Sequence, residues 1–145
     1  MIFITVLSVL SLDQLTKFLI TRNLLYNKSI PIIKGIFHFT LIHNRGAAFG
    51  ILKNQVPLFI YTCVFAIILI YFNLKNTKHG KSYRVSLSLI LAGALGNLID
   101  RLFLGYVIDF LDFRIWPVFN VADSAITIGA ILLGYSILIE NKKQE

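Results

Sequence analysis

Four apolar runs, each long enough to cross a bilayer, restrict the fold of this chain more than any other feature. They cover residues 2–22, 56–74, 85–104 and 121–139, and a membrane helix needs about 20 such residues. Charged residues make up only 14% of the chain, against about 25% in an ordinary water-soluble domain. We therefore predict a single membrane domain, residues 1–145, built as an all-α bundle of four transmembrane helices.

The basic residues lie between the apolar runs. A net charge of +7 is compatible with nucleic acid binding, but this distribution favours flanks of membrane spans and no nucleic acid partner. The turn 75–84, "KNTKHGKSYR", has the highest density of positive charge and is predicted to be cytoplasmic. Each side of the membrane carries six basic residues, so this orientation depends on that density.

Two longer connections are predicted to lie on the other side of the membrane. Segment 24–55 is rich in Ile, Phe and Thr with interspersed glycines, which predicts short strands within residues 30–52. Segment 105–119 begins with an amphipathic and aromatic stretch, "GYVIDFLDFRIWP". Such rings concentrate in the lipid headgroup region, so this segment is predicted to be interfacial.

Acidic residues divide between the two sides. With four spans, the end of the first, the end of the third and the start of the fourth share one side, and both glutamates fall on the other. Charges at membrane depth are costly and usually face a partner or a watery cavity. The gathering of carboxylates on one side therefore predicts a polar site there. That side carries all five aspartates, which are Asp13, Asp100, Asp109, Asp112 and Asp123.

Asp109 and Asp123 have no basic neighbour in sequence, unlike Asp13, which stands four residues before Lys17 on one helix face. Two carboxylates brought close share one proton. The ionised member can then take a proton from water while the other donates one. Asp112 is a rival member of this pair. The same residues leave an alternative function open, which is an ion- or proton-conducting protein with a carboxylate-lined pathway.

Asparagines provide the uncharged polar groups of the predicted site. Asn44, Asn97 and Asn120 can donate amide hydrogens to substrate or loop, and Asn120 is also a predicted N-cap of the fourth span. Phe49 is predicted to be an apolar contact in a loop that closes over substrate. The three histidines lack a ligand spacing, so no metal site is predicted.

Five motifs resemble those of the lipoprotein signal peptidase family, also called signal peptidase II, in the same order. The resemblance covers nearly the whole chain. It implies a bacterial inner (cytoplasmic) membrane protein that crosses the membrane several times, with both termini in the cytoplasm. The motifs are "DQLTK" (13–17), "NRGAAFG" (44–50), "GALGNLIDR" (93–101), "GYVIDF" (105–110) and "FNVADS" (119–124).

The resemblance also implies an activity. Such proteins are aspartic endopeptidases that remove the signal peptide from diacylglyceryl-modified prolipoproteins without a cofactor. It implies an extracytoplasmic active site, a small extracytoplasmic β-sheet cradle and a short interfacial helix. Membrane lipids and cyclic peptide inhibitors of the globomycin type are further expected partners.

Residue roles follow from the resemblance position by position. The catalytic pair corresponds to Asp109 and Asp123, and a structural ion pair corresponds to Asp13 and Lys17. The chain departs from the family at Ala92, where a glycine is frequent, and in a short segment between the catalytic aspartates. Residues that correspond to substrate-binding or supporting positions are Asn44, Gly46, Phe49, Asn97, Asp100, Arg101 and Asn120.

Overall fold

Four long helices dominate the computed structural model, which describes residues 1–46, 52, 54–75 and 80–142. All four are long and apolar enough to cross a membrane. The third begins at Lys81 rather than at residue 85, so its first turn includes the basic end of the connecting turn. The helices are α1 (Ile2–Asn23), α2 (Val56–Lys75), α3 (Lys81–Leu104) and α4 (Val121–Lys142).

Helix α3 lies at the centre of the bundle. Half of its most apolar window is buried, against 6% for α2, whose side chains mostly face outward. Small residues allow its neighbours to approach closely, because lipid supplies no hydrophobic force that would hold large side chains together. A Cβ on Gly96 would lie 2.5 Å from the Asp13 carboxylate of α1, and a Cβ on Gly93 would clash with the backbone of α4. Helix α3 therefore packs closely against the middle of α1 and against the first turn of α4.

A small antiparallel sheet extends from one end of the bundle. Its strands are β1 (Ser29–Ile33), β2 (Phe37–Asn44) and β3 (Val107–Asp112), in the order β1-β2-β3. Strands β1 and β2 lie in the region where strands were predicted. Strand β3 was not predicted, since its sequence was interpreted only as an interfacial segment.

A β-bulge interrupts the pairing between β2 and β3. Phe39 is opposite Leu111 and Ile42 is opposite Asp109, so β2 has one extra residue between these pairs. Bulges of this kind redirect side chains next to functional sites. Asp109 shares its face with Ile42, whereas Asp112, three residues later, lies on the opposite face beside His38.

The connections around β3 are closed by hydrogen bonds. Gly105, with a φ of 77°, ends α3 in the left-handed conformation that glycine adopts without strain. The Asp100 carboxylate then accepts the amide hydrogen of Ile108, 3.0 Å away. Among the described residues of 24–55 and 105–119 there is no short helix, so the interfacial helix and the position of the sheet relative to the membrane stay predictions.

Candidate active site

Two carboxylates from different elements line one pocket of about 340 Å³. Asp109 projects from β3 and is 2% exposed, and Asp123 lies in the first turn of α4. The pocket lies between the end of α3, the start of α4 and strands β2 and β3. The two aspartates without basic neighbours in sequence thus face the same space.

Asn120 connects the two carboxylates. This fully buried residue donates its amide hydrogen to Asp109 Oδ1 at 2.7 Å. Its own Oδ1 accepts the backbone N–H of Asp123 at 2.8 Å, and its backbone N–H donates to Asp123 Oδ2 at 3.3 Å. The last two bonds form a capping box at the start of α4, with Asn120 as the predicted N-cap. The cap that begins the helix therefore also orients both carboxylates.

Two further asparagines complete the set of donors. Asn44 Nδ2 lies 2.9 Å from Asp109 Oδ2, and Asn97 Nδ2 lies 2.7 Å from Asp123 Oδ1. Each of the four carboxylate oxygens thus accepts a hydrogen bond from an uncharged N–H group. Such donors orient a carboxylate without a counter-ion that would hold it permanently ionised.

Burial strongly perturbs the acidity of Asp109. Burial and, to a smaller extent, the charge of Asp123 raise the pKa of this carboxyl from 3.8 to about 7, although the hydrogen bonds from Asn44 and Asn120 lower it. Desolvation and a nearby like charge both disfavour the ionised form. Asp109 therefore exchanges its proton near neutral pH, where a general acid is most effective.

A buried lysine connects the surrounding elements. Lys17 is 1% exposed and its Nζ lies 2.8 Å from Asp13 and 2.9 Å from Asp100. Asp13 in turn accepts the backbone N–H of Ala122 at 2.9 Å. The predicted pair of Asp13 and Lys17 is thus part of a larger cluster, which joins α1 to α3 and to the first turn of α4.

Gln14 belongs to the same cluster and was missed in the sequence. Its amide nitrogen lies 3.2 Å from Asp100 Oδ1 and 3.3 Å from the Gly96 carbonyl oxygen. It follows Asp13 directly and stands three residues before Lys17. A polar residue inside an apolar span was the available signal, because such residues usually face the bundle interior.

Arg101 lines the pocket from the end of α3. Its guanidinium carbon lies 5.2 Å from the centroid of the Phe59 ring, in cation–π geometry. Phe59 also lines the pocket and was not predicted, because one aromatic residue in an apolar span has no distinguishing pattern. Gly46 lies at the rim, where its N–H donates to Asn44 Oδ1 at 2.9 Å. Phe49 lies outside the described residues.

Asp112, the rival member of the pair, lies away from the pocket. Its carboxylate accepts a hydrogen bond from Thr40 at 2.6 Å and lies 3.3 Å from Arg114. Burial raises its pKa, but the hydrogen bonds from Thr40 and from the Arg114 backbone, with the nearby charge of Arg114, outweigh burial and lower it. A carboxylate held ionised in this way is unsuited to sharing a proton.

Similarity to known proteins shows the family of this chain. A family model described as signal peptidase (SPase) II matches residues 5–139. The chain belongs to the signal peptidase II family. It is therefore a hydrolase, as predicted, and its family is one of proteases that process lipoproteins. This membership favours an endopeptidase over the ion- or proton-conducting alternative.

Individual relatives agree with the signal peptidase II family model. The chain is 51% identical to the lipoprotein signal peptidase of Halothermothrix orenii, over 92% of both chains. Its identity to the lipoprotein signal peptidase of Moorella thermoacetica is 48%, over 95% of this chain and 93% of the relative. The prediction that this chain resembles lipoprotein signal peptidases is therefore confirmed over most of its length.

Solved structures support the same fold. One bacterial membrane enzyme is 34% identical with a TM-score of 0.92, and the match covers 99% of this chain and 91% of that one. A second bacterial membrane enzyme is 36% identical with a TM-score of 0.85, over 94% and 92% of the two chains. Together with four helices capable of spanning a membrane, these matches identify a bacterial multi-pass membrane protein of the signal peptidase II family.

Proposed function

We propose that this protein cuts the signal peptide from a lipid-modified prolipoprotein by means of water activated between Asp109 and Asp123. The observation that carries the proposal is their convergence on one pocket in which, among the described residues, neutral amide groups rather than cations contact both carboxylates. That arrangement allows one proton to be shared, which is what acid–base hydrolysis by two carboxylates requires.

The two aspartates take complementary parts in the proposed reaction. Asp109, whose pKa is raised to about 7 by burial, holds the proton and donates it to the oxygen of the scissile carbonyl. The Asp123 carboxylate accepts a proton from the attacking water, so that a neutral tetrahedral intermediate forms. Asp123 then transfers this proton to the leaving amine while Asp109 recovers its own as the carbonyl is restored.

In the proposed reaction, the surrounding residues orient the two carboxylates and the substrate. Asn97 and Asn120 fix Asp123 and Asp109, and Asn44 fixes the second oxygen of Asp109. Arg101, held against Phe59, provides a donor at the wall of the pocket for a carbonyl oxygen of the substrate. Cyclic peptide inhibitors of the globomycin type are proposed to occupy the same pocket.

Purified protein and a synthetic lipid-modified prolipopeptide test the proposal. Asp109→Asn and Asp123→Asn should each abolish cleavage, and both proteins should remain folded. Asp112→Asn is the matched control because Asp112 lies on the same strand as Asp109 but on its opposite face. Cleavage by the Asp109 or the Asp123 variant would exclude that residue from the catalytic pair. If Asp112→Asn lost activity to the same extent, the loss in the pocket variants would not support a catalytic pair of Asp109 and Asp123.

We also propose that the site lies on the extracytoplasmic side, because the basic turn 75–84 is on the opposite side of the helices. Lys34, in the β1–β2 hairpin, can be replaced by cysteine in a Cys63→Ser background. A maleimide reagent that cannot cross membranes should label this variant in spheroplasts. Labelling only after lysis would place the site in the cytoplasm.

A further inference from the structure

The pocket lined by Asp109 and Asp123 is called the reaction pocket below. An apolar groove of about 540 Å³ lies beside it and has no part in the proposed chemistry. It runs between the first turns of α4 and residues 113–119, the segment that follows β3. Few polar groups face it, in contrast to the reaction pocket with its aspartates and asparagines. Its apolar lining consists of Phe113, Ile115, Trp116, Phe119 and Ile128.

The groove is continuous with the reaction pocket. Trp116, Phe119, Asp123 and Thr127 line both spaces. A ligand that fills the groove therefore lies directly against one of the two carboxylates. The groove follows α4 from Asp123 to Ile128, a rise of about 7.5 Å at 1.5 Å per residue.

The segment that forms the outer wall is held in place. Phe119 pairs with Leu111 through backbone hydrogen bonds of 2.8 and 3.1 Å, and its ring stacks on Phe113 with centroids 5.9 Å apart. Ile115 and Trp116 are 93% and 61% exposed. Exposed apolar surface of this kind, at the end of a membrane helix, is suited to hydrocarbon rather than to water.

We propose that this groove holds one acyl chain of the lipid-modified substrate, so that Asp123 lies where the lipid and peptide parts of the substrate meet. The inference rests on the proposed function, since the substrate must carry its lipid to the reaction pocket. The division of polarity supports it: amide donors and carboxylates line the space for the peptide bond, and aromatic and aliphatic side chains line the space for the chain.

The surrounding bilayer determines what the groove contributes. Lipid tails are as apolar as leucine side chains, so a chain that leaves the bilayer for the groove gains packing but no hydrophobic transfer energy. Its main effect is to orient the scissile bond, which acts on the chemical step. We therefore expect chain length to change kcat more than KM, by about tenfold, as for other apolar specificity pockets.

Cleavage of two matched prolipopeptides provides the first test. They share one peptide and differ only in carrying two palmitoyl or two butanoyl chains. The wild-type protein should cleave the palmitoyl substrate faster, and Ile128→Phe, which fills the groove, should lose this preference. Leu138→Phe is the matched control, since Leu138 is 66% exposed on the same helix and does not line the groove.

A second variant covers the case in which Ile128→Phe folds poorly. Ile128→Ala removes side-chain volume and cannot clash, yet it leaves the acyl chain loosely packed. It should also reduce the preference for palmitoyl chains. Unchanged preference in a folded Ile128 variant overturns the proposal. A further pair of substrates shares the palmitoyl chains and differs only in the apolar side chain beside the scissile bond. If the Ile128 variants change the preference within this pair and not the preference for acyl length, the groove binds peptide and the proposal is wrong.

Trp116 allows a direct binding measurement because it is the one tryptophan in the sequence. In the Asp109→Asn protein, a substrate with brominated acyl chains should quench Trp116 fluorescence, and excess unbrominated substrate should reverse the quenching. Quenching by a brominated phospholipid to the same extent, or quenching that substrate cannot reverse, would mean that bulk lipid fills the groove. That result overturns the proposal.

The outcomes separate this inference from the proposed function. If the wild-type protein cleaves neither prolipopeptide, both fail. If it cleaves both at equal rates and the brominated chains do not quench Trp116, the acyl-chain site alone fails. Faster cleavage of the palmitoyl substrate, lost in both Ile128 variants and kept in Leu138→Phe, supports both.

Discussion

Asp109→Asn should inactivate the protein and yet stabilise it at neutral pH. Burial raises the pKa of Asp109 from 3.8 to about 7, so the folded protein binds this proton more tightly than the unfolded chain does. The stability linked to that proton is fully present below pH 3.8 and is lost as the pH rises through about 7. An asparagine has no charge to desolvate, so the variant escapes this loss.

Two opposing terms set the size of the effect. A pKa difference of about 3 units at 1.36 kcal/mol each corresponds to about 4 kcal/mol above pH 7. Against this, both carboxylate oxygens accept N–H groups, from Asn44 and Asn120. An asparagine at 109 would turn its own NH₂ toward one of these donors, at a cost of about 1–3 kcal/mol. We expect a net gain of about 1–3 kcal/mol at high pH and a net loss at low pH.

Thermal unfolding in detergent, followed by Trp116 fluorescence from about pH 4 to about pH 8, measures this change of sign. Asp112→Asn is the control with the opposite trend. The pKa of Asp112 is lowered because hydrogen bonds and the charge of Arg114 outweigh its burial. Its stabilising contribution is present above the unfolded pKa and lost as the pH falls, so the variant should be destabilised at neutral pH and less so in acid. An Asp109→Asn difference that is independent of pH would refute the reasoning.

Three further predictions concern the groups that hold the site. Asn44→Ala removes a donor to the ionised form of Asp109, so the pKa of that carboxyl should rise and the basic limb of the kcat/KM profile should move up by about one pH unit; an unmoved limb would contradict this. Lys17→Met leaves two buried carboxylates without their cation and should lower the free energy of unfolding by about 3–5 kcal/mol. A lower Tm and a lower yield would show this, whereas a wild-type Tm and yield would contradict a structural role for Lys17. Gly96→Ala should lower the Tm because the added Cβ meets a carboxylate, while Gly134→Ala, whose added Cβ meets no described atom within 4 Å, should not.

The helices and the convergence of the aspartates were predictable because they depend on the length and order of apolar segments. Four runs of sufficient length leave little choice but a membrane bundle. Four spans then determine which ends meet, and this places Asp123 on the same side as Asp109 without any knowledge of tertiary contacts. The absence of basic neighbours distinguished these two from Asp13, whose lysine stands one helical turn away.

Strand β3 was not predictable from a side-chain pattern. Five of the six residues in Val107–Asp112 are buried, so the strand has no polar face and no alternation by which to recognise it. It is buried because α1 and α3 pack against it and β2 pairs along its edge. Contacts across the bundle, such as those of Gln14 and Phe59, likewise depend on how the helices are rotated, which hydropathy does not determine.

Lys17 fixes the direction in which the Asn97 amide points. An ammonium group can only donate, so the Asn97 atom 3.2 Å from Nζ is the carbonyl oxygen, and the NH₂ group must face Asp123. Asn120 is oriented in the same way, because its oxygen is occupied by the backbone N–H of Asp123 and its NH₂ group therefore faces Asp109. The buried cation thus acts on Asp123 through the neutral Asn97 amide. A cation in direct contact would instead hold a carboxylate ionised, and no proton would remain to be shared between the two.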